Sequence, residues 1–234
     1  DDTDTGDRDE LDPGVSDRAW RQVSVTSREC LGAQRCPYGT ECYAELARDR
    51  AAAAEIVVTN HALLAIDALE GIPVLPEHDV VVVDEAHELV DRVTGVATGE
   101  LTPAMVERAA ARARRIVEST DDLADAGDGL ELALKQAPEG RLVGLPEDLA
   151  AALAEVRDTA RTVLSDSART KSCKDDTSGD DGARKLAQAA VTTVFETADR
   201  LAAHATHDVS WVAHDTRRGP VVTVAPLAVN GLLR

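Results

Sequence analysis

Val80-Val81-Val82-Val83 is a run of four β-branched apolar residues that ends on two carboxylates, Asp84 and Glu85, and it constrains the fold more than any other stretch of the chain. An unbroken apolar run without alternation suits a strand buried on both faces, as in a parallel sheet covered by helices, so an α/β chain is expected. Carboxylates at the end of such a strand stand where ligands enter open α/β sheets. Adjacent Asp and Glu can divide nucleotide hydrolysis between them, Asp84 holding Mg²⁺ while Glu85 orients and deprotonates the attacking water. The plainer reading is a helix cap, with both acids at the positive end of the following helix.

Three of the four cysteines lie in one window, Cys30, Cys36 and Cys42, spaced C-x5-C-x5-C. Structural zinc favours cysteine pairs two to four residues apart, and this window has none. Single cysteines spread evenly through a Gly- and Pro-containing loop suit a larger object approached from several sides, an iron–sulfur cluster. Gly32 and Gly39 would let backbone N–H groups turn toward its sulfides. The fourth cysteine, Cys173, stands in a polar Gly/Asp-rich stretch far along the chain, so the fourth ligand is expected upstream of Asp1. Three free thiols are the bland alternative.

Charge is strongly negative, 43 acids against 25 basic residues, which argues against bulk electrostatic gripping of nucleic acid. The first 17 residues hold eight acids and one Arg, and read as an acidic linker. Residues 18–50 hold six Arg against four acids. Four of them, Arg28, Arg35, Arg48 and Arg50, surround the cysteine loop, where a phosphate backbone would be tolerated. Six solvated arginines with no partner are the alternative. With aromatics at 2%, a broad base-stacking platform is not expected. No apolar run approaches the roughly 20 residues that span a bilayer, and a soluble, cytoplasmic chain is expected. The start without Met and the end on Gly231-Leu232-Leu233-Arg234 read as a piece of a longer protein.

Beyond residue 102 the pattern turns helical. Pro103 marks a start, followed by Val106, Ala109, Ala110, Ala113, Ile116 and Val117 at helical spacing. A second helix starts at Pro146 and carries Leu149, Leu153, Val156, Ala160, Val163 and Leu164 on one stripe. A third covers 183–205, with Leu186, Val191, Phe195, Ala198 and Leu201. Val209, Trp211 and Ala213 then alternate with polar residues, the chain turns over 215–219, and Val221 to Val224 form a second strand. Trp211 is assigned to the core. His204, His207 and His214 share no helical face with a carboxylate and are read as solvated or core histidines.

Asp84-Glu85-Ala86-His87 resembles the Walker B motif of superfamily 2 helicases, the DEAH box. The stretch Val57-Val58-Thr59-Asn60-His61-Ala62-Leu63-Leu64, separated from the three-cysteine loop by a short helix, resembles the DinG branch of the XPD-like iron–sulfur helicases. Val222 to Leu227 resembles the segment before the motif that links their two motor domains. The resemblance implies an ATP-dependent DNA helicase moving 5′ to 3′ on single-stranded DNA, with a 4Fe-4S cluster on Cys30, Cys36 and Cys42 and with Mg²⁺ and ATP at Asp84 and Glu85. It implies that His87 couples hydrolysis to DNA movement, and a monomer acting in DNA repair. It also implies part of a RecA-like motor domain, an iron–sulfur loop domain and a helical, Arch-like insertion. The expected division is 1–17 acidic linker, 18–55 cluster domain, 56–98 motor segment with the DEAH box, 99–207 Arch-like insertion, and 208–234 a hairpin returning to the motor.

One departure is plain. None of Lys135, Lys171, Lys174 and Lys185 follows a Gly, so the P-loop is absent and this chain alone is expected to hydrolyse nothing. The competing reading is a non-enzymatic redox or scaffold module organised by a cluster or a zinc ion.

Overall fold

A computed structural model describes residues 3–70, 74–171, 181–215 and 219–231. The chain is α/β, with eight α-helices and one four-stranded antiparallel sheet among the described residues. It divides into two compact units, Asp1–Val96 with Asn230–Arg234, and Ala97–Val229.

The first unit holds helices α1 (Asp17–Val23), α2 (Tyr43–Ala52), α3 (His61–Glu70) and most of α4 (Ala86–Ala97). Ser16 opens α1, its Oγ accepting from the Ala19 N–H. The acidic stretch before it touches α2. The Tyr43 hydroxyl donates to Thr3 O at 3.2 Å, and Gly6 packs so tightly on the Tyr43 ring that a Cβ there would lie 2.6 Å from it.

Val80 to Val83 is not a strand. Val80 and Val82 are 77% and 90% exposed, and Val58 in the earlier apolar run is 92% exposed. A strand exists only where neighbours pair its N–H and C=O groups, and the described residues of this unit contain no strand to do so. The apolar pattern is in the sequence, but among the described residues nothing pairs with it.

The second unit contains β1 (Gly99–Leu101), α5 (Pro103–Ala113), α6 (Asp121–Gln136), β2 (Gly140–Leu142), α7 (Glu147–Lys171), α8 (Asp181–Ala203), β3 (Asp208–Asp215) and β4 (Gly219–Pro226). Sheet order is β1-β4-β3-β2. Thr102 caps α5, its Oγ1 accepting from the Met105 N–H, with Pro103 at the first helical position as expected. Val106, Ala109, Ala110, Ala113 and Ile116 are buried, as are Leu149, Leu153, Val156, Ala160 and Val163 of α7 and Val191, Ala198 and Leu201 of α8. Val117, Leu164 and Phe195 pack at the margin of this core.

Helix α6, absent from the three helices read off the spacing, carries Gly127 and Gly129 within it. Its apolar positions Leu123, Ala126, Leu130, Ala133 and Leu134 are all buried, so packing overrides the weak helix propensity of the glycines. Gly127 serves close approach: a Cβ there would lie 3.3 Å from Val106 Cγ1 on α5.

The strand pair after α8 forms, but its phase differs from expectation. Ser210 and Val212 are buried, whereas Val209, Trp211 and Ala213 are half-buried on the opposite face. Trp211 sits between Arg141 and Thr223 across the strands, outside the core. The helices pack on the other face, where Val212 meets Val222 and Ser210 meets Val224. The hairpin shares the helices' core, and β1 and β2 pair with its two outer edges. Cys173 and residues 216–218 of the turn lie outside the described residues.

Candidate functional site

The acidic box occupies the turn that opens α4. The Glu85 N–H donates to Asp84 Oδ1 at 3.0 Å, and the Glu88 N–H donates to Glu85 O at 2.8 Å, closing the first turn of the helix. Glu85 has φ +48°, the left-handed region. For a residue with a Cβ this costs on the order of 1–3 kcal/mol and persists only where neighbours impose it. His87 Nδ1 lies 3.3 Å from Glu85 Oε2, and both side chains are exposed. Asp84, Glu85 and His87 are therefore together at the head of one helix.

A fourth side chain joins them. His61, the first residue of α3, places Nε2 2.9 Å from Asp84 O across 23 residues of sequence. A carbonyl only accepts, so Nε2 carries the proton and donates. Asn60 caps the same helix end, its Oδ1 accepting from the Leu63 N–H at 2.8 Å. Sequence reasoning noticed this stretch but gave His61 no role. A ring-to-carbonyl bond between two segments leaves no local signal.

The cysteine loop is a chain of tight turns. The Cys30 N–H bonds to Thr26 O, Cys36 N–H to Gly32 O and Gly39 N–H to Cys36 O, each at 3.0 Å. Gly32 has φ +77°, and a Cβ on Gly39 would lie 2.1 Å from Ala33 O, so both positions require glycine. All three thiols are free and half-buried. The Gly32 N–H donates to Cys30 Sγ at 3.3 Å, the kind of backbone contact that tunes cluster sulfurs. Donor type and backbone donor suit a cluster. The sulfurs are not gathered, however: among the described residues no three His, Cys, Asp or Glu side chains form a group able to hold a metal.

Of the four arginines near this loop, Arg35 and Arg50 are exposed and Arg28 is half-buried. Arg48 is engaged, its Nη1 2.7 Å from Glu45 Oε1 one turn away. Two histidines of the second unit make side-chain hydrogen bonds: His214 Nε2 lies 3.1 Å from Leu134 O, and His204 Nδ1 3.4 Å from Ser210 Oγ. No helix among the described residues is long and apolar enough to cross a membrane.

Comparison with known proteins places the chain beside ATP-dependent helicases of the DinG type. It is 54% identical over 148 residues, 62% of its length, to the ATP-dependent helicase DinG of Mycobacterium tuberculosis. The ATP-dependent DNA helicase DinG of Salmonella typhimurium is 42% identical over 86 residues, and the ATP-dependent DNA helicase YoaA of Escherichia coli 40% over 78. The matched stretches cover 36% and 32% of this chain. The chain spans only 22% of the mycobacterial protein's length and 12% of each of the other two. No family model matches it.

Proposed function

We propose that this chain is a segment of an ATP-dependent DNA helicase that couples ATP hydrolysis to 5′-to-3′ movement on single-stranded DNA. The observation that carries the reading is the 54% identity to DinG. In this reading the first unit carries part of a RecA-like motor and the cluster loop. The exposed runs around Val58 and Val80 to Val82 are the motor's sheet strands, lacking here the neighbours that bury them. Residues 97–229 are the Arch-like insertion, with the hairpin a part of it.

Asp84 would hold the Mg²⁺ that accompanies the nucleotide, and the ion would supply positive charge to the phosphates. Glu85 accepts the proton of the attacking water, and His87, within reach of it, couples that step to DNA movement. Arg28, Arg35 and Arg50 contact the DNA backbone. Arg48, whose Nη1 lies 2.7 Å from Glu45 Oε1, does the same. Cys30, Cys36 and Cys42 ligate a 4Fe-4S cluster whose fourth ligand lies outside this chain. That assignment rests on donor chemistry and the Gly32 contact, and no step of hydrolysis runs through the cluster. The protein works as a cytoplasmic monomer in DNA repair.

The test is DNA-stimulated ATPase and strand separation by the full-length protein on substrates with a 5′ or a 3′ single-stranded tail. ATP-dependent unwinding only from the 5′ tail is the expected result, and no ATP dependence would overturn the reading. This chain alone, lacking a Gly-Lys phosphate cradle, should show no turnover.

A further inference from the structure

We infer that His61 is a positioning residue for the hydrolytic carboxylate of the acidic box, acting through the Asp84–Glu85 peptide. This rests on the roles given to Asp84 and Glu85 above. The peptide between them is held at both polar groups: its C=O accepts from His61 Nε2 at 2.9 Å, and its N–H donates to Asp84 Oδ1 at 3.0 Å. Turning that peptide over would break both bonds. It is the peptide that sets φ of Glu85 at +48°, a conformation its surroundings must enforce.

The ring is delivered from a firm element. Asn60 Oδ1 caps the start of α3 through the Leu63 N–H, and further along the same helix Asp67 Oδ1 accepts from the N–H groups of Val74 and Leu75 at 2.6 and 2.8 Å. A side chain fixed on a capped helix holds a partner more closely than one on a loop. With the His61 bond gone, the Asp84 carbonyl loses its partner and Glu85 relaxes toward the right-handed region. Its carboxylate then swings away from the position where it meets the attacking water. The Asp84 carboxylate loses only the Glu85 N–H and stays available to a metal ion, so nucleotide binding survives while turnover falls.

The experiment is steady-state ATPase of the full-length protein with single-stranded DNA, comparing His61→Ala, His61→Gln and Glu85→Gln. His61→Ala should lower kcat about 10-fold while KM for ATP stays within about 2-fold. His61→Gln places an amide N–H near the position of Nε2 and should restore kcat to within about 3-fold of the parent. Wild-type turnover in His61→Ala beside an inactive Glu85→Gln overturns the positioning role and leaves the acidic box intact. Near-normal turnover in Glu85→Gln overturns the box itself, and the role of His61 with it. An equal loss in Ala and Gln variants, or a rise in KM matching the fall in kcat, marks a merely structural residue and also overturns the inference.

Discussion

Arg200 clasps Asp208 through two parallel hydrogen bonds, Nε to Oδ2 at 2.9 Å and Nη2 to Oδ1 at 2.6 Å, joining the last turns of α8 to the first residue of β3. The third guanidinium nitrogen donates to Ala97 O at 2.6 Å, so one side chain gathers three segments of the second unit. The Asp208 side chain is only 5% exposed and Arg200 33%. This planar fork is geometry that Arg supplies and Lys does not.

Arg200→Met should therefore destabilise the second unit by about 3 kcal/mol, because it strands a buried carboxylate without its partner. Arg200→Lys should recover only part of that loss. Urea unfolding followed by circular dichroism reads the difference, and a change below about 0.5 kcal/mol in Arg200→Met would place the pair among surface bridges of little consequence.

The two glycines of α6 should respond in opposite directions. Gly127→Val drives a branched side chain into Val106, whose Cγ1 would already lie 3.3 Å from a bare Cβ, and should cost about 2 kcal/mol. Gly129 meets only Glu155 Oε2, at 3.8 Å from its ideal Cβ. Gly129→Ala should thus raise stability by about 0.5–1 kcal/mol through helix propensity. Thermal melting of both variants checks the contrast.

In the full-length protein Glu85→Gln keeps the side chain's shape but removes the base, so hydrolysis should fall by about 10²–10⁴ with nucleotide still bound. Asp84→Ala should weaken Mg²⁺-dependent nucleotide binding as well, since the ion loses its holder. Replacing His87 should lower unwinding more than nucleotide affinity. Single-turnover hydrolysis, strand separation and equilibrium binding of a fluorescent ATP analogue separate these effects.

Neutralising Arg28 and Arg35 together should weaken single-stranded DNA binding and flatten the dependence of log affinity on log salt by about 0.7 for each lost phosphate contact. Fluorescence anisotropy titrations at several salt concentrations supply the slopes. An unchanged slope in the double variant would route the DNA elsewhere.

Full-length protein purified anaerobically after iron-replete growth should show a broad visible absorption band, lost when Cys36 is replaced by Ser. Stoichiometric zinc without iron or sulfide would reverse the cluster assignment. Neither result changes the assignments at Asp84 and Glu85.

What sequence alone determined was local. The capped start of α5 at Thr102 and Pro103 and the buried stripes of α5, α7 and α8 follow from spacing, because a helix satisfies its own backbone and needs only an apolar face to pack. The box at 84–87 was legible for the same reason, its residues being neighbours in the chain. Tertiary structure decided whatever depends on a partner. Val80 to Val83 reads as a strand yet pairs with nothing among the described residues, since a strand's hydrogen bonds belong to its neighbours. α6 forms despite two glycines, because Leu123, Leu130 and Leu134 find a core. Trp211 lies on the outer face of its sheet, since helix packing chose the face of Ser210 and Val212. His61 reaches Asp84 across 23 residues, a meeting that only the fold of the first unit brings about.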